Sequence, residues 1–100
     1  MTQSNVQVEE KVKMILQEPG KYAVVYINDD KTPMDFVIAV LEEVFNYTSE
    51  KATEMTIRIH ESKSQVVATY NYEIAEQKTT ETLMLAKNFG YPFRCEMVQE

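Results

Sequence analysis

The apolar positions of the chain fall into two kinds of run. Tyr22 to Ile27 (YAVVYI) is an unbroken β-branched and aromatic stretch, too short for a helix and bounded by Gly20 and Asn28, so it predicts a buried strand. Phe36, Val37, Val40, Leu41, Val44 and Phe45 then recur at the i, i+1, i+4, i+5 spacing of one helix face, with Glu42, Glu43 and Asn46 turned outward. Ahead of them stands Thr32-Pro33-Met34-Asp35. Thr32 is the expected N-cap, Pro33 suits the first turn, and Asp35 takes the capping-box position. A second helix is predicted from Thr48 or Ser49, with Ala52, Met55, Thr56 and Ile59 on its apolar side and His60 at the edge of that side. Residues 61–64 (ESKS) read as a polar turn and Gln65 to Tyr70 (QVVATY) as a second strand. Asn71 is placed to cap a third helix, whose face carries Ile74, Ala75, Lys78, Thr82, Leu85, Ala86 and Phe89 and which Gly90 stops. In PFRCEMV, Phe93, Cys95 and Met97 alternate with Arg94, Glu96 and Val98, the period of a third strand.

The predicted fold is therefore α+β: a small three-stranded antiparallel sheet with three helices packed on it, in the order β-α-α-β-α-β. A chain of 100 residues fits one domain with a modest core. Its first part carries Gln, Ser, Asn and mixed charge with only a weak apolar cluster at Val12, Met14, Ile15 and Leu16, ending at Pro19-Gly20. A flexible N-terminal extension over residues 1–20 and a core domain over residues 21–100 are expected.

Charge and cysteine narrow the partners. Sixteen acidic against ten basic residues give a net charge of −6, which argues against nucleic acid, because phosphate is held by clustered Lys and Arg. Cationic partners are favoured. The single Cys95 cannot form an internal disulfide or a cysteine-based zinc site, which fits a reducing cytosol, and a cytoplasmic location is expected. No apolar run approaches the roughly 20 residues of a membrane span and no signal peptide is visible, so no membrane association is expected.

Catalytic patterns are absent: there is no G-x-S-x-G elbow, no phosphate-cradling glycine loop, and only one histidine. The polar run Asn28-Asp29-Asp30, directly after the first strand, is the remaining chemistry. An acid pair there also occurs in phospho-receiver domains, but those alternate strand and helix, whereas this chain places two helices in succession. A small metal-binding domain or enzyme using Asp29, Asp30 and His60 is a second reading, since carboxylate and imidazole are ordinary ligands. A third is recognition of an ammonium group. The Asn28 side-chain carbonyl, a carboxylate from Asp29 or Asp30, and a neutral nitrogen of His60 supply acceptors, and Met34, Val37, Thr56 and Ile59 can line an apolar cavity beside them. Plain turn chemistry and a favourable charge at a helix start explain the same acidic residues without any ligand.

Four segments together decide among these. N-D-D-K-T-P-M-D-F-V (Asn28 to Val37), A-T-E-M-T-I-R-I-H (Ala52 to His60), Y-E-I-A-E-Q-K (Tyr72 to Lys78) and G-Y-P-F-R-C (Gly90 to Cys95) resemble the ClpS family, adaptors of the Clp protease and its AAA+ unfoldase. The likeness runs from Tyr22 to the C-terminus with its spacing preserved. It implies an adaptor, not an enzyme, with no cofactor and no metal. Such an adaptor binds N-degron substrate proteins, those beginning with Leu, Phe, Tyr or Trp, and hands them to the N-terminal domain of a ClpA- or ClpC-like unfoldase. By the resemblance, Asn28, Asp29 and His60 hold the α-amino group, and Asp30 and Thr32 support the neighbouring peptide backbone. Met34, Val37, Thr56, Ile59 and Phe93 form or border the side-chain pocket, Glu73 and Lys78 contact the unfoldase, and residues 1–20 serve delivery. A monomer is expected. Two positions depart from the family pattern: Thr56 stands where Met is typical and gates against β-branched first residues, and Phe93 stands where Leu is common. The shorter Thr implies a roomier pocket, which Phe93 partly refills. Lys63 stands where the family turn usually has Gly.

Overall fold

The computed structural model describes residues 20–100. The expected extension, apart from Gly20, lies outside the described residues, as does its apolar cluster. The elements follow in the order β1 (Tyr22–Ile27), α1 (Met34–Phe45), α2 (Ser49–Ser62), β2 (Ser64–Tyr70), α3 (Tyr72–Phe89) and β3 (Arg94–Gln99). β1 is the central strand, antiparallel to β2 on one side and β3 on the other. This is the α+β arrangement that the apolar pattern predicts.

Alternation along β1 points Val24 and Tyr26 into the core, where both are fully buried. Tyr26 brings a hydroxyl with it, and that polar atom is satisfied by Thr82 of α3 at 2.6 Å. Its ring meets Phe93 edge-on, with centroids 4.9 Å apart. Between Val24 and Val25 the pairing with β2 slips by one residue, so that Val67 bulges from β2 and is buried. The six apolar positions predicted for α1 and the four for α2 are all buried.

Helix ends account for the departures from the pattern. Thr32 is not the N-cap of α1. Pro33 takes that position with extended backbone and no side-chain cap, because the Thr32 hydroxyl donates to Asp29 instead. Helix α2 runs on through Ser62, two residues into the expected turn, and Lys63 ends it in the left-handed region at φ 74°. Thr48 and Asn71 cap α2 and α3 by accepting from the amides of Lys51 and Ile74, and Gly90 closes α3 at φ 77°. Two residues expected on the inner face of α3, Ile74 and Phe89, are exposed instead. Ile74 stands in the first turn of α3 and Phe89 is its last residue, where its ring packs on Phe36 and Tyr91 with the rest open to solvent.

The last turn of α1 contains no basic residue, although a helix C-terminus favours positive charge. Lys78 supplies it from α3: its ammonium donates to the Val44 carbonyl at 2.8 Å. One cation thus completes α1 and ties it to α3.

Candidate functional site

The segment after β1 is shaped by Asp29. Its Oδ1 accepts from the amides of Lys31 at 2.8 Å and Thr32 at 2.7 Å, and its Oδ2 accepts from the Thr32 hydroxyl at 2.8 Å. This is an Asx-type turn, in which a short carboxylate replaces backbone acceptors that neither strand nor helix offers. Burial pushes the Asp29 carboxyl up, but the bonds from the Thr32 side chain and the two amides, with the Lys31 charge, outweigh it, and the net shift is downward. The group therefore stays ionised. Oδ2 keeps acceptor capacity beyond its single bond.

One long-range contact fixes where this turn sits. The Asn28 amide donates to the Lys63 carbonyl at 2.8 Å, immediately beyond the last pair between β1 and β2, Ile27 with Ser64. Lys63 follows the final turn of α2, which carries His60 with its side chain exposed. The bond thus sets the Asn28–Asp30 segment beside the C-terminal end of α2. That end carries roughly half a negative charge from the aligned peptide dipoles, adding to the carboxylates of Asp29 and Asp30. The arrangement favours a cation and offers acceptors of three kinds: amide carbonyl, carboxylate and imidazole.

The apolar candidates divide by depth. Val37, Thr56, Ile59 and Phe93 are 5%, 2%, 2% and 5% exposed, while Met34, one helical turn above Val37, is 43% exposed. Val37, Ile59 and Phe93 belong to one core cluster. Of the five, Met34 is the one that reaches solvent. The Thr56 hydroxyl is spent on its own helix, donating to the Ala52 carbonyl at 2.8 Å, so the side chain faces its surroundings with its methyl group.

Among the described residues, no three of His, Cys, Asp and Glu converge as metal ligands, so the alternative built on Asp29, Asp30 and His60 has no such cluster. Burial pushes the Cys95 thiol up to about 12, which keeps it a thiol and a poor nucleophile at neutral pH. No helix among the described residues is long and apolar enough to cross a membrane.

The family profile described as "ATP-dependent Clp protease adaptor protein ClpS" matches residues 17–96. The chain belongs to the ClpS family. Relatives named ATP-dependent Clp protease adapter protein ClpS include the following two. That of Helicobacter hepaticus is 44% identical over 86 residues, covering 86% of this chain and 87% of the relative. That of Vibrio atlanticus is 42% identical over 90 residues, covering 90% and 85%. Among solved structures, Agrobacterium tumefaciens ClpS2 bound to L-phenylalaninamide superposes with a TM-score of 0.80 at 34% identity, over 82% of this chain and 99% of that one. The fold and the adaptor family expected from the sequence are thereby established.

For this ClpS chain the structure also shows residues whose part no local pattern reveals. Lys63 holds the start of the Asn28–Asp30 segment through its carbonyl, not its side chain. Thr32 holds Asp29 in place. Lys78, expected at the unfoldase face, is half-buried with its ammonium committed to Val44, whereas Glu73 is exposed in the first turn of α3. Lys63 adopts at φ 74° the left-handed backbone that Gly takes more readily.

Proposed function

We propose that this ClpS chain binds proteins with bulky hydrophobic N-terminal residues, Leu, Phe, Tyr or Trp, and delivers them to a AAA+ Clp unfoldase of the ClpA or ClpC kind. The observation that carries this reading is the L-phenylalaninamide bound by its ClpS2 neighbour. That molecule joins a free α-amino group to an aromatic side chain, and the polar acceptors and apolar side chains of this chain suit those two parts. Asn28, Asp29 and His60 accept the ammonium N–H groups, and Asp30 and Thr32 line the path of the following backbone. Val37, Thr56, Ile59 and Phe93, with Met34 at the edge, receive the first side chain. Because Thr56 offers a methyl group in place of a longer thioether, β-branched first residues fit this pocket better than the family pattern allows.

Glu73, and Lys78 through the position of α3, serve the contact with the unfoldase N-terminal domain. Residues 1–20 act as an extension in delivery, and residues 21–100 work as a monomeric core in the cytoplasm. No metal, cofactor or chemical step is required: the chain carries, and the protease cuts.

Burying a Leu or aromatic side chain is worth about 1.5 to 3 kcal/mol and each charge-assisted hydrogen bond about the same, against an association cost of at least about 4 kcal/mol. Affinity near micromolar follows, which suits a carrier that must let go. The decisive measurement is fluorescence polarization with peptides that differ only at the first residue, each with a free or acetylated N-terminus. Free Leu and Phe peptides are expected to bind and their acetylated forms to fail. Equal binding of free and acetylated peptides would overturn the assignment.

A further inference from the structure

A hollow of about 610 Å³ lies between α1 and the C-terminal end of α3. Apart from its own place beside Met34 in sequence, it shares no lining residue with the site above. Its aromatic wall is Phe36, Phe89 and Tyr91, with Phe36 centred 5.3 Å from Phe89 and 4.9 Å from Tyr91. Phe89 is 64% exposed, so the fold leaves most of a large aromatic side chain in water.

The α1 side has a distinct order. Asp35, Ala39 and Glu43 all line the groove and all are exposed. Spaced by four, they form one stripe along the helix: acid, small, acid. The carboxylates are eight residues apart, about 12 Å of helical rise, and among the described residues no basic side chain lines the groove. Ala39 between them lets another backbone approach closely. A second helix lying along this stripe would present cations at the same spacing, seven or eight residues apart, with an apolar side chain halfway between.

We propose that this groove docks a basic amphipathic helix of a partner protein, its apolar side chain resting on the exposed Phe89 ring, which Phe36 and Tyr91 back, and its flanking Lys or Arg residues meeting Asp35 and Glu43. This surface is independent of N-terminal recognition.

The test uses the full chain and a helical, Ala-rich peptide of about 18 residues. The peptide has two Lys eight positions apart, Leu midway and a terminal Trp, and it is N-acetylated so that it carries no free amine. The chain has no Trp, so indole anisotropy reports the peptide alone. Saturable binding is expected, with amide shifts centred on Phe36, Phe89 and Tyr91. Glu43→Lys is expected to weaken it at least about tenfold, and a peptide with Glu for Lys to recover binding to that variant. A free Leu-initiated peptide should bind Glu43→Lys as it binds the parent, which also shows that the variant is folded. Absence of saturable binding, or equal affinity for parent and Glu43→Lys, overturns the proposal. So does concentration-dependent self-association that Phe89→Ser abolishes, since the occupant would then be a second copy.

Discussion

Replacing Asp29 in two ways separates its scaffold from its charge. In Asp29→Asn the amide oxygen can still accept from the Lys31 and Thr32 amides, and the Thr32 hydroxyl can turn to accept from the new NH₂ group. In Asp29→Ala all three bonds are lost. At about 1 kcal/mol each, reduced because the turn is part-exposed and an unfolded carboxylate is well hydrated, Asp29→Ala should cost about 2 kcal/mol of stability. Asp29→Asn should cost less than about 1 kcal/mol. Binding reverses the emphasis: losing one negative charge beside the bound ammonium is expected to weaken a Phe-initiated peptide by about 1 to 2 kcal/mol, roughly 5- to 30-fold, in Asn and Ala alike. Urea unfolding and fluorescence polarization read the two quantities. If Asn destabilises as much as Ala, the turn does not rest on the bonds described; if Asn binds like the parent, Asp29 is not an ammonium ligand. The sign of the pH effect follows from the lowered carboxyl. The stability Asp29 adds is present above its ordinary value of 3.8 and lost as pH falls below it through the folded-state value, a loss that Asp29→Asn should not show.

Three further outcomes are expected. Affinity for a Leu-initiated peptide should decline above about pH 8 as its α-amino group loses its proton, and a flat profile between pH 7 and about 9.5 would count against a charged amine. Thr56→Val should leave the ranking of first residues unchanged, because the hydroxyl is turned onto Ala52, while Thr56→Met should raise the Leu-to-Ile affinity ratio; peptide titrations compare them. Lys78→Met should lower stability by about 1 to 2 kcal/mol in urea unfolding, whereas Glu73→Ala should not, so unfoldase binding by the two variants must be compared at equal folded fraction.

What could be read in advance was whatever repeats locally. The buried faces of α1 and α2 are set by spacing alone, and Asn71 and Gly90 mark the ends of α3 by residue type. Thr32 misleads because two acceptor-seeking arrangements compete for one hydroxyl, and the Asp29 turn wins over a helix cap. Phe89 has helical spacing, yet as the last residue of α3 it is left largely exposed. The site follows the same division. Asn28, Asp29 and His60 are recognisable as acceptors, but what sets the Asn28–Asp30 segment beside the end of α2 is the Asn28–Lys63 bond, a contact between residues far apart in sequence. The bond from Lys78 to Val44 spans 34 positions and is equally invisible to any local pattern.

The Asn28–Lys63 bond also bears on how long a cargo stays. Because strand and helix ends are tied together beforehand, little of the protein has to be ordered when a ligand arrives, and encounter can proceed at the usual 10⁵ to 10⁷ M⁻¹s⁻¹, about 10⁶ at the middle. Multiplied by a micromolar dissociation constant, that gives a dissociation rate of about one per second, a residence of about one second. On the proposed adaptor role, a bound chain end would be held long enough to be carried to a neighbouring machine and not long enough to block the next one.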